Sequence, residues 1–201
     1  MYSPNVNKGC IFYWDLEFLR LRANPALEQF PMIKEIQNGP LVRTWLHAVI
    51  LLAWIVLLAL FFAQFEIQVE GSAGWAANLP TWRVARHPLL DLFWGGRPLT
   101  GYHVWIFSFM ALVFHLPLFI HGRPTLKLEA RILGSLMLFW ILEDFFWFVL
   151  NPAYGLHKLT PESVAWHKYW LLGVPVDYVT FLLAGAGLLW ISFRRSKKSG
   201  S

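Results

Sequence analysis

Four stretches of this chain are apolar over a length that few water-soluble folds tolerate. Roughly 20 residues in helical form cross about 30 Å of hydrocarbon, and residues 44–65, 102–120, 132–150 and 169–193 meet that requirement. They predict an all-α, polytopic integral membrane protein. The expected architecture is a four-transmembrane-helix bundle with short interfacial helices, preceded by a cytoplasmic amphipathic segment over 1–43 and followed by a basic cytoplasmic tail over 194–201. Within 11–42, Phe, Leu and Trp mix with Arg, Glu and Lys, and Pro25 and Pro31 break the run into pieces expected to lie on the membrane surface. Residues 80–94 read as a second interfacial segment, with Trp82 and Trp94 at headgroup depth, and Gly95-Gly96 as the turn behind it.

Composition agrees with lipid as the main solvent. Apolar residues make up 57% and charged residues 14% of the chain, far from a soluble average. Seventeen Phe and 12 Trp exceed what a small aqueous core needs, whereas Trp suits bilayer interfaces. The net charge of +5 does not indicate a nucleic-acid partner, because the basic residues cluster beside the apolar segments and form no stripe on a polar helix. Cys10, the single cysteine, excludes an intramolecular disulfide and a thiolate metal cage. The first apolar run starts too late and is too long for a cleaved leader, so it is expected to act as a signal anchor.

The basic residues also predict orientation. Twelve of them, including Arg43, Arg123, Lys127, Arg131 and Arg194, flank the spans on one side, and five, Arg83, Arg86, Arg97, Lys158 and Lys168, flank the other. The richer side is cytoplasmic by the positive-inside rule. Both termini are therefore expected inside, in a prokaryotic cytoplasmic (inner) membrane, with lipid headgroups as partners of the basic flanks.

Charge inside a span is costly and marks candidate function. Glu143 and Asp144 lie in the third span, and Asp177 in the fourth, all toward the predicted outer side. Asp144 shares a helical face with Trp147, Phe148 and Asn151, while Glu143, about 100° away, belongs with Ser135 and Phe139. Asp177 lies on the face of Ala184, Gly185 and Leu188, small enough in part for close helix approach. Pro175 is expected to break the fourth helix beside it. His103 and His167 fall at the same depth.

Carboxylates with imidazoles suit a divalent ion such as Zn, Fe or Mn. The expected ligands are Asp144, His167, Asp177 and His103, with Glu143 as general base in metal-assisted hydrolysis of a membrane-delivered substrate. No HExxH, GxSxG or phosphate-loop motif narrows the chemistry. The same residues also fit a structural polar network, a proton or ion path, or a non-catalytic subunit whose aromatic residues contact helices, lipids or pigments of a larger membrane complex. Membrane protein partners and a second copy of the chain both suit that reading. His47 and His115, at matched depth near the inner side, could ligate a b-type haem and make a small cytochrome. Enzyme and non-enzyme readings both fit these residues.

Overall fold

The computed structural model describes residues 40–93, 97–122 and 124–194. The chain divides into two compact units, Met1–Leu46 and His47–Ser201. Of the first unit, only the opening of one helix falls within the described residues. The amphipathic segment expected before it, the Gly95-Gly96 turn and the basic tail past Arg194 lie outside them.

Helix α1 spans Pro40–Glu70, followed by strand β1 (Arg83–Val84), the short helix α2 (Pro88–Phe93), strand β2 (Leu99–Thr100) and helices α3 (Gly101–His121) and α4 (Leu126–Leu150). A 3-10 turn at Leu156–Lys158, strands β3 (Trp170–Leu171) and β4 (Val174–Pro175), and helix α5 (Val176–Phe193) complete the order. The strands form two small antiparallel ladders, β1 with β2 and β3 with β4. Four helices are long and apolar enough to cross a membrane, over Thr44–Glu70, Gly101–Ile120, Leu126–Leu150 and Val176–Phe193.

Local chemistry sets several of these ends. Thr100 caps α3 by accepting the backbone N–H of His103, and Thr125 caps α4 by accepting that of Leu128. Gly122, at φ 61°, closes α3 with its N–H on Leu118 O. At the far end of α4, Asn151 donates from Nδ2 to Gly71 O at 2.9 Å and accepts from Ala153 N–H. This ties the end of α4 to the end of α1.

Three observed helix ends differ from the expected span boundaries. Helix α1 does not stop at Phe65: it continues through Glu66 and Glu70, whose side chains are buried against protein partners. The third long helix begins at Leu126, not 132, behind the Thr125 cap. The fourth does not begin at 169. Residues 170–175 form the β3–β4 hairpin, whose two-residue turn puts Leu172 at φ 50° and Gly173 at φ 80°, the paired positive values of a type I′ turn. Pro175 consequently precedes α5 as its N-cap residue and does not interrupt a helix.

Helix α4 is the hub. Its Leu138 and Phe139 are buried with Ile55 and Ala59 of α1, Met110 of α3 and Leu189 of α5. Phe139 meets Phe62 and Phe114 at ring-centroid distances of 5.4 and 5.3 Å. Against α5 the approach is closest at Gly134 and Gly185. A Cβ on Gly134 would stand 2.8 Å from Gly185 O, so only glycine permits this helix separation, as small residues do between membrane helices. A second cluster holds the 151–170 loop on α1 and α4, through Val164 and Trp166 packed with Ala63, Ile67, Trp147 and Phe148. The outer faces carry exposed Phe61, Trp105, Phe119 and Leu183, a surface suited to lipid and costly in water.

Candidate functional site

The four apolar helices converge with the two inter-helix loops on a cavity of about 760 Å³. Glu143 and Asp144 reach it from α4, Asp177 and Tyr178 from α5, His103 from α3, and His167 from the loop before α5. It thus collects the expected ligands and the expected base; His157, a third histidine at the same expected depth, does not line it. It also collects Glu66, Glu70 and Arg97, which the sequence reading passed over.

On one side, His167 is 5% exposed and lies between two carboxylates. Its Nε2 is 2.9 Å from Asp144 Oδ2, and its Nδ1 is 3.0 Å from Asp177 Oδ2. Tyr178 donates its hydroxyl to the same Asp144 oxygen. Arg97 pairs with Asp177, lies 3.0 Å from His167 Nδ1 through Nη2, and donates from Nε to Trp166 O at 2.6 Å. The imidazole can donate through Nε2 to Asp144 in either protonation state. Its Nδ1 accepts from Arg97 when neutral or donates to Asp177 when charged, so both states are hydrogen-bonded. Burial pulls the Arg97 guanidinium below its ordinary value, and the nearby Asp144 charge draws it back up; an arginine remains a fixed cation under those opposing influences.

The opposite wall is acidic. Glu66 and Glu70, one helical turn apart on α1, face Glu143 on α4. Glu66 accepts the Tyr102 hydroxyl at 2.8 Å and is buried with Glu143 at the cavity wall. Glu70 Oε1 accepts the backbone N–H of Ala76. Glu143 is 4% exposed, and its Oε1 has no hydrogen-bond partner among the described residues, nor has the indole Nε1 of Trp147.

Loops brace this end. Trp75 and Ala76 adopt φ of 46° and 51°, an uncommon left-handed conformation for side-chain-bearing residues, and the Arg83 guanidinium binds the carbonyls of Ala76, Ala77 and Leu79. The Trp75 ring stacks on His103 at 4.0 Å, its Nε1 donates to Pro98 O, and the Arg97 guanidinium lies over it at 5.2 Å. His103 is thereby a buried wall, with Nδ1 2.7 Å from Thr100 Oγ1.

The expected metal centre is not supported. Among the described residues no group of three or more His, Cys, Asp or Glu side chains is placed to hold a metal ion. The physical reason lies in the partners: His167 has both ring nitrogens engaged by Asp144 and Asp177, His103 turns to Thr100, and Arg97 brings a protein cation to the acids. Glu143 accordingly has an acid, Glu66, for a neighbour in place of a metal-bound water. At the other end of the helices, His115 lies 2.6 Å from Ala111 O and 3.1 Å from Glu129 Oε1, while His47 is exposed.

Sequence signals for the missed residues are uneven. Glu66 and Glu70 follow an apolar run at i, i+4 spacing and could have been read as its last inward-facing turn. Arg97 is 80 residues from Asp177, and nothing local marks their pairing. No family model, curated protein or solved structure matches the chain.

Proposed function

We propose that this chain lies in a membrane with its cavity toward the outer side and performs acid–base chemistry there on a membrane-delivered substrate. The observation that carries this reading is the burial of Glu66, Glu70 and Glu143 together at one wall of the cavity. Two carboxyls that share a buried site disfavour ionising together, so that one of them keeps a proton. Such a pair holds an acid and a base side by side, the arrangement that lets two like carboxyls divide their roles.

In a hydrolysis, the ionised member takes a proton from water as the water oxygen bonds to the electrophilic carbon. The protonated member gives its proton to the departing oxygen as that bond breaks. The pair ends with the same number of protons, the roles exchanged. The Asp144–His167–Asp177 series forms the facing wall. Arg97 holds Asp177 in place and stabilises negative charge that develops nearby.

The reading is tested by incubating purified protein with a total lipid extract of its host membrane and following conversion by mass spectrometry. The expected result is a substrate–product pair formed by the wild type and reduced at least about a hundredfold in Glu143→Gln, the lower scale of general acid–base catalysis. Conversion that is unchanged by Glu143→Gln, or absent from the wild type, contradicts it.

A further inference from the structure

The same cavity has two chemically different ends. On α4, Leu136, Met137, Trp140 and Ile141 lead in one helical stripe to Asp144, and on α3 Phe107 and Ala111 continue the stripe of His103. Phe181 of α5 flanks the far side. From Asp144 to Leu136 is eight residues, or about 12 Å of helix, so an apolar trough runs from the charged end along what would be the depth of one leaflet.

The charged end is acidic. Glu66, Glu70, Glu143, Asp144 and Asp177 line it against Arg97 and Lys168, and Arg97 is already engaged by Asp177 and Trp166. Indole rings of Trp75, Trp147 and Trp166 stand among these acids. Acids with aromatic faces attract an organic cation and repel an anion. Two buried polar atoms there lack partners, Glu143 Oε1, which calls for an N–H or O–H donor, and Trp147 Nε1, which calls for an acceptor.

Resting on the acid–base reading of this site, we infer that its occupant is a single-chain amphiphile with an ammonium head. The apolar chain lies in the trough along α4 between α3 and α5. The ammonium N–H groups bond Glu143, and an oxygen acceptor on the same head meets the Trp147 indole.

Calorimetric titration of the purified protein in maltoside detergent, with empty micelles as blank, tests this using dodecylamine, dodecanol and dodecanoate as probes. Dodecylamine is expected to bind saturably with one site per chain. Its affinity should fall at least about tenfold in Glu143→Gln, the scale of one charge-assisted hydrogen bond, and should be lost in Met137→Trp, which fills the trough. Dodecanol or dodecanoate binding as tightly as the amine would overturn the cationic head and leave the acid–base reading intact. Amine affinity unchanged in both variants, or no saturable binding of any probe, would overturn the inference altogether; the lipid-conversion assay judges the acid–base reading separately.

Discussion

Glu143 and Asp144 are adjacent in the chain yet face different partners: Glu143 is buried with Glu66 and Glu70 of α1 on the acidic wall, and Asp144 meets His167 of the loop and Tyr178 of α5. The 100° step between successive helical residues makes this division possible. The two acids should therefore respond differently to loss of charge. Asp144→Asn weakens the acceptor shared by His167 and Tyr178 and is expected to lower stability by about 1–2 kcal/mol. Glu143→Gln changes a buried carboxyl whose Oε1 has no partner among the described residues and should cost less than Asp144→Asn. Chemical unfolding in detergent compares them; equal losses would contradict the separation.

Arg97 and Asp177 form the one ion pair that links the loop before α3 to the start of α5 among the described residues, and Asp177 also contacts His167. A double-mutant cycle with Arg97→Gln and Asp177→Asn should return a coupling of about 0.5–3 kcal/mol, the range for residues within one network. Strict additivity would mean that the pair contributes nothing beyond its separate side chains.

Helix contact through glycine gives a prediction with an internal control. Gly134→Ala would press a methyl group against Gly185 O and is expected to cost about 1–3 kcal/mol. Gly187 lies in the same α5, and a Cβ there meets nothing within 4 Å. Gly187→Ala should raise stability by about 0.5–1 kcal/mol, the helix-propensity difference. The two substitutions shift the melting temperature in opposite directions if the α4–α5 contact is as described.

The four long apolar helices were readable because length and polarity of that kind are what lipid would demand and few other constraints mimic. Their ends were not, for reasons that can be named. Glu66 and Glu70 ended the apolar count at Phe65, yet a helix continues through acids when they meet partners such as Tyr102 and Ala76. The run Trp170–Val176 is as apolar as a span, and only the Leu172-Gly173 pair ahead of Pro175 hints at a hairpin. The convergence of Asp144, His167 and Asp177 followed from their shared depth. What they bind did not, because the sequence showed acids and imidazoles as donors without showing that Arg97, 70 residues from His167, brings the compensating charge. A metal was the economical expectation for that donor set, and the hydrogen bonds among its members do not support it.

The inside–outside reading rests on the basic flanks and has its own test. In a Cys10→Ser background, Ser163→Cys, at an exposed position in the loop before α5, should label with a membrane-impermeant maleimide from the external side of intact cells. A reporter fused after Ser201 should be active in the cytoplasm. The reverse pattern would place the cavity on the cytoplasmic side.

A proton held by the Glu66–Glu143 pair is what the proposed chemistry depends on, and infrared difference spectroscopy observes it directly. At neutral pH the wild type should show a protonated-carboxyl C=O stretch that disappears in both Glu66→Gln and Glu143→Gln. No such band in the wild type, or a band that both variants retain, would contradict a shared proton at the cavity wall.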